Sequence, residues 1–289
     1  MFFRWEWLRP VLTAPVVPTL GPVHPHAVTV DLFEATLVAA AADRHFLPYD
    51  KDRRWGPEKQ EAVLAGDVVH HRDHTLIPTL ATRGRGAVKV FAYGHSGDVL
   101  DQAAELAVKL AAVHGASTAR VVRPLGPETP RPRGVRIQLQ DFTVRHCPAP
   151  DGPVRPLDDW PAPVRQTFGN FAHAMAADGF GFLDGQMQAG RCGPVLTTVL
   201  GNRVVGAIGP MEIRPDPTGA AQLMPQYFAV LPDARGRGLG RLLWRAAMHW
   251  GQTHSAAYQL LQTEIGGASD RICQSEGLAT LGFVSSRKA

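Results

Sequence analysis

The chain has 289 residues, 45% of them hydrophobic, enough for one large or two modest packed domains. A formal net charge of +4 is a mild basic bias and excludes the dense positive footprint of a nucleic-acid binder. Three cysteines, Cys147, Cys192 and Cys273, have neither metal-ligand spacing nor a disulfide framework, which points to a reducing cytoplasm.

In chain order, residues 1–28 are rich in proline and predict an extended segment. Glu6, Pro10, Pro15, Pro18 and Pro22 interrupt any signal-peptide core there. Val28–Asp43 and Glu58–Leu64 read as helices. Ala87–Ala92 is strand-like, and Val99, Ala103, Leu106, Leu110 and Val113 mark a helix that ends at His114-Gly115. A short strand, Ala119–Arg123, precedes a proline loop over 124–134 and an alternating strand from Val135 to Val144. After a second proline cluster comes a helix over Val164–Asp178. Val195–Leu200 and Arg203–Glu212 flank Gly201-Asn202 as a β-hairpin. No apolar run reaches the roughly 18 residues of a membrane span, and the preference for Arg with abundant Ala, Gly and Pro points to a GC-rich bacterial genome.

The most specific stretch follows. An apolar strand from Tyr227 to Leu231 runs into Pro232, then Arg235-Gly-Arg-Gly-Leu-Gly240, then a helix with Leu242, Leu243, Ala246, Ala247 and Trp250 at helical spacing. Loop N–H groups at the start of a helix, with no Cβ on the glycines, form an anion cradle. A nucleoside-triphosphate loop would need a Lys that is absent, and a dinucleotide loop needs one more residue between its glycines. The Arg83-Gly-Arg-Gly86 copy precedes a strand, so it lacks the helix terminus. His70, His71 and His74 look like a metal cluster, but a strand–turn is expected to separate them and no Cys or Glu completes the set, so no metal is expected.

The stretch resembles the acyl-CoA motif of the GNAT (GCN5-related N-acetyltransferase) superfamily, Val-x-Pro-x-x-[Gln/Arg]-x-x-Gly-x-[Gly/Ala]. Val230, Pro232, Arg235, Gly238 and Gly240 match it. After a strand over Ala257–Ile265, the second signature Asn-x-x-Ala-x-x-Leu-Tyr-x-x-x-Gly-Phe is degenerate: Gly266, Ser269, Ile272, Cys273 and Gly277-Leu278 stand at its fixed positions. A last strand is read over Leu281–Ser285. The resemblance covers about residues 140–289.

It implies an α/β (α+β) fold with a mixed, mostly antiparallel twisted sheet flanked by helices, and acetyl-CoA or another acyl-CoA held by Phe228, Val230, Arg235, Gly236, Arg237, Gly238, Leu239, Gly240 and Arg241. It implies transfer of an acyl group to a small-molecule or peptide amine by a monomer or homodimer, without nucleic acid or membrane. An N-terminal α/β domain, 1–139, repeats the strand–turn–helix–strand order, with Gly94-His-Ser-Gly97 where the cradle would be and Asp98 beside it. It is expected to be either a degenerate GNAT-like half or an unrelated α/β extension, to bind no CoA, and to flank the amine's entry together with the 140–289 acyltransferase domain.

The chemistry also needs a base and an acid. Gln226 and Tyr227 stand where the family often has a carboxylate; Glu264, Glu212 and His173 are the substitutes. Cys273 replaces the family's acid Tyr, with a shorter reach. Catalytic candidates are therefore Glu264, Cys273 and Tyr227. The missing Tyr and carboxylate leave open a non-catalytic acyl-CoA-binding protein. An aminoacyl-tRNA-dependent transferase with paired GNAT-like folds is the other alternative, and the intact loop counts against it.

Overall fold

The computed structural model describes residues 4–42, 46–94, 98–130 and 132–289, excepting the side chains of 39–42. In chain order the elements are α1 (Trp5–Leu8), β1 (Val16–Val17), β2 (Gly21–Pro22), α2 (Val30–Ala42), β3 (Glu61–Val63), β4 (Val69–His71), β5 (His74–Ala81), β6 (Ala87–Gly94), α3 (Val99–Val113), β7 (Thr118–Leu125) and β8 (Val135–Asp141). There follow β9 (Val154–Pro156), α4 (Ala162–Arg165), α5 (Phe168–Ala174), α6 (Phe180–Gln188), β10 (Leu196–Leu200), β11 (Arg203–Gly209), β12 (Ile213–Pro215), β13 (Ala221–Leu223) and β14 (Tyr227–Val230). The chain ends with α7 (Leu239–Thr253), β15 (Tyr258–Glu264), α8 (Ala268–Ser275) and β16 (Ala279–Lys288). Mixed sheets, mostly antiparallel and flanked by helices, make this the expected α/β class.

Two compact units divide the chain: residues 1–139, 216–218 and 261–289 in one, and 140–215 and 219–260 in the other. Residues 261–289 group with the N-terminal unit. The reason is pairing: β16 lies antiparallel between β7 and β8, with Phe283 opposite both Leu125 and Arg136.

In the N-terminal unit, β6 and β7 are parallel and α3 makes the crossover between them. Val99, Ala103, Ala107 and Leu110 recur on one stripe of α3 and pack on Val88, Val90, Ala92 and Val121. Three sequence expectations change here. Glu58–Leu64 is not a helix; Glu61–Val63 pairs with β5 instead, because sheet pairing overrides the helix propensity of its Glu, Ala and Leu. Residues 4–28, expected to be extended, instead fold into α1 and a short β1–β2 pair, held in part by the Tyr93 hydroxyl donating to the Val16 carbonyl at 2.9 Å. The turn at Arg72-Asp73 does not separate the histidines: His71 and His74 face each other with ring centroids 4.7 Å apart. His74 is buried between Asp73 (2.9 Å) and Gln102 (3.1 Å), and no group able to hold a metal is found among the described residues. Asp43 and His95–Gly97 lie outside those residues.

The second helix expectation, Val164–Asp178, breaks into α4, α5 and a short turn, and α6 follows it. Gly179, at φ +88, closes the break in the left-handed conformation that suits glycine. The aromatic stripe Phe168, Phe171 and Phe180 of these helices packs on Val205, Ala207 and Ala229 of the sheet.

Within the N-terminal unit, buried Asp270 at the start of α8 organises the turn after β15. Its Oδ1 accepts hydrogen bonds from Arg136 Nε (2.8 Å) and Thr263 Oγ1 (3.0 Å), and its Oδ2 from the Gly266 N–H (2.9 Å). Burial alone would raise this carboxyl. The Gly266 N–H, Arg136 and Thr263 outweigh burial and hold it below its ordinary 3.8. Removing one partner of such a pair strands the other, so Asp270→Ala should cost about 3 kcal/mol in urea unfolding at neutral pH. With the native value depressed, the stabilisation is full above pH 3.8 and fades as pH falls through the lower native value. Asp270→Asn should therefore flatten the acid limb of the stability profile. An unaltered acid limb would assign the pH dependence to other carboxylates.

Candidate functional site

The strand that leads to the glycine loop has two successive partners. Gln222 and Leu223 of β13 pair in parallel with Tyr258 and Gln259 of β15. Tyr227–Val230 of β14 instead pair antiparallel with Gly206–Gly209 of β11. Pro225 lies between the two stretches, and a proline has no N–H to give to a ladder. Beyond Leu223 the strand leaves β15, and β14 becomes an edge strand of its own sheet.

The pairing decides which backbone groups that edge exposes. The Leu231 N–H donates to the Val205 carbonyl at 2.8 Å, which makes 231/205 a hydrogen-bonded pair. By alternation, 229/207 and 227/209 are bonded pairs as well, and the N–H and C=O groups of Phe228 and Val230 point away from β11. Arg235 Nε donates to the Val230 carbonyl at 3.0 Å, on that outer edge. The outward N–H groups of Phe228 and Val230 are the donors the edge presents.

From Val230 the chain turns over Pro232–Ala234 and enters the cradle. Gly236 and Gly238 both have φ +78. A Cβ built on either would meet no protein atom, so glycine is required there by backbone conformation rather than by crowding. Gly238 is the N-cap of α7 and has no side chain to cap with. The first-turn N–H groups of a helix have no intrahelical acceptors, and here they open on the loop with the positive end of the helix dipole behind them. Arg235, Arg237 and Arg241 are exposed around the cradle, while Leu239 and Gly240 are half-buried. Asp233 is the acid nearest in sequence. The exposed Arg203 guanidinium, 2.5 Å away, holds its carboxyl below the ordinary range.

Two further glycines place α7. A Cβ on Gly206 of β11 would come within 2.8 Å of Leu243 and 3.2 Å of Val230, and one on Gly251 within 2.7 Å of Leu223. Leu243, Ala246 and Ala247 of α7 are buried, while Arg241 and Arg245 face solvent. The helix thus lies close on β11 near its start and on β13 near its end, which fixes its N-terminus relative to β14. Gly206→Val should overpack this contact and destabilise the protein by about 1–3 kcal/mol, read from urea unfolding. Wild-type stability in that variant would show that α7 does not depend on the close approach.

The catalytic candidates are placed as follows. Tyr227 is half-buried against Phe180 and Phe182, each ring 6.3 Å away. A Cβ on Gly179 would run into its ring at 2.3 Å. Glu212 accepts a hydrogen bond from Arg214 at 2.5 Å, and His173 is exposed on α5. Glu264 is exposed at the end of β15. Cys273 lies on α8 and is 1% exposed. Burial, with the Asp270 charge added, pushes its thiol up to about 12. A buried side chain missed by sequence reasoning is Gln259, 1% exposed, on the strand that β13 leaves. Its Nε2 donates to Gln226 Oε1, and its own Oε1 has no hydrogen-bond partner. A single Gln on a strand carries no signal of this; only the pairing register brings it beside Gln226.

Residues 162–267, which include β14, the cradle and α7, match the family model "Acetyltransferase (GNAT) family". No curated protein matches the chain by sequence. Among solved structures, a tandem GNAT protein from the clavulanic acid biosynthesis pathway aligns at 13% identity and TM-score 0.45, over 88% of this chain and 92% of that one. A GCN5-related N-acetyltransferase from Sphaerobacter thermophilus aligns at 12% identity and TM-score 0.44, over 76% of this chain and 82% of that one. One from Kribbella flavida aligns at 13% identity and TM-score 0.45, over 76% and 88% respectively.

Proposed function

We propose that this chain, whose residues 162–267 match the GNAT acetyltransferase family model, is a CoA-dependent N-acyltransferase that moves an acyl group, acetyl in the first instance, from the CoA thioester to the amine of a small molecule or peptide. The observation that carries the reading is the continuity of β14 with the cradle. Outward N–H groups at Phe228 and Val230 run into a glycine loop at an uncapped helix N-terminus. In this reading the Arg235–Gly240 backbone and the first turn of α7 receive the CoA pyrophosphate, with Arg237 and Arg241 beside it. The edge N–H groups of β14 hold the pantetheine arm and polarise the thioester carbonyl, and such a donor matters most where charge develops in the transition state.

Glu264 at the end of β15 is the proposed proton acceptor for the amine, because Glu212 is already engaged by Arg214. The raised Cys273 thiol keeps its proton and is a poor relay to a departing thiolate. We assign that proton to water. The buried thiol is also the observation that favours a second reading, an acyl-CoA-binding protein without turnover.

The two readings separate in one pair of measurements. Calorimetric titration with acetyl-CoA should give one site per chain. Gly238→Val, which forces a β-branched residue to φ +78 and fills the space before the helix, should abolish that binding. Unchanged affinity in a folded Gly238→Val variant would remove the cradle from the site. Single-turnover transfer to a panel of amines then tests catalysis, and binding with no transfer to any of them favours the second reading. In the enzyme reading, Glu264→Gln should slow the chemical step by about a hundredfold or more while acetyl-CoA affinity stays the same. A loss under about threefold would exclude Glu264 as the base.

A further inference from the structure

The N-terminal unit holds a pocket of about 190 Å³ lined by the carboxyl half of β7, which runs parallel to β6, by β16 and by the first turn of α3. Crevices at that end of a parallel βαβ unit are favoured ligand positions, because the helix N-terminus faces them. The sheet register explains the lining. Ser285 of β16 lies opposite Arg123 of β7, and Arg287 opposite Val121. With side chains alternating along each strand, these residues share one sheet face. It is the face α3 covers, since Val121 packs against that helix. Leu100, in the first turn of α3, closes one wall, and Thr129 and Arg133 of the 126–134 loop close another.

Three guanidiniums, Arg123, Arg133 and Arg287, thus line one small space with two hydroxyls, and among the described residues no lining residue is acidic. The acids of the helix start stand outside the lining. Asp101 makes an exposed contact with Arg287 at 3.3 Å, and Asp98 precedes the helix without a side-chain cap bond. Like charges held together repel one another, and an anion among them reverses the sign of that interaction. Guanidiniums bind carboxylate and phosphate through paired N–H donors. The apolar wall at Leu100 and Val121 suits a short hydrocarbon part. The volume is a little above the roughly 150 Å³ of a cavity that takes benzene. It holds a head group and a short stem, not a nucleotide.

We propose that this pocket is a binding site for a small organic anion, a carboxylate or phosphate head on a short apolar stem. The site stands independently of the acyl-CoA reading. Phenylglyoxal labels accessible guanidiniums, and mass spectrometry reads each arginine separately. With the full chain in phosphate-free buffer, saturating inorganic phosphate or butyrate should slow labelling of Arg123, Arg133 and Arg287 by about tenfold and leave Arg165 unchanged. Stronger protection by phosphate identifies a phosphate head, and stronger protection by butyrate a carboxylate. Arg287→Gln should remove most of the protection at Arg123 and Arg133. Equal labelling with and without both anions, or protection that persists in Arg287→Gln, would overturn the proposal. The wild-type footprint alone decides it if that variant fails to fold.

Discussion

Between Ala221 and Val230 the chain has two neighbours and one proline, and the candidate site depends on that conflict. β13 is committed to β15 and β14 to β11. Pro225 cannot donate to either ladder, so the change of partner falls at the residue where a hydrogen bond would be lost anyway. The cost is an edge strand with two outward N–H groups. Elsewhere such an edge would be a pairing hazard. Here it is only Tyr227–Val230 long and turns at once into the cradle, so it offers donors to an extended ligand and little template for another strand.

The cradle in turn depends on packing several residues away. A helix N-terminus attracts an anion only if it is held in place, and its field fades within the first turn. Gly206 and Gly251 let α7 lie close on the sheet, and Leu243 locks against β11. Arg235 does a different job from Arg237 and Arg241. Its Nε is bonded to the Val230 carbonyl, so it ties the loop to the strand that feeds it. Arg235 thus has a structural role at this motif position.

Much of this was legible in the sequence, and the misses have physical causes. The Gly236, Gly238, Gly240 spacing located the loop because few backbone conformations tolerate anything else there. The α3 and α7 periodicities were legible because both helices have one apolar stripe. β5 was not, since Pro78 interrupts the pattern of a strand, yet it pairs with Val90 in the ladder. The break of the 164–178 helix was hidden because its apolar stripe continues through α5 into α6. Long-range insertion left no local mark either: nothing in 279–288 announces that it will enter between β7 and β8. Gln259 and the arginine pocket belong to the same class, since both arise from register between strands far apart in sequence.

The two crossover helices show what the chain gives up for its site. Each runs for 15 residues between two strands and packs small side chains on a sheet. At α3 the start carries Asp98 and Asp101, charges that favour the helix itself by meeting the positive end of its dipole. At α7 the corresponding positions carry a left-handed glycine, a second glycine within the first turn and an arginine. Glycine inside a helix costs about 0.5–1 kcal/mol relative to alanine, and a cation at the N-terminus is on the unfavourable side of the dipole. The left-handed backbone at Gly238 suits glycine and leaves α7 without the Ser or Asp side chain that would cap it. The sequence departs from its own stability rule at α7 and obeys it more closely at α3. In the acyl-CoA reading proposed for the loop, that departure is where the ligand's negative charge would fall.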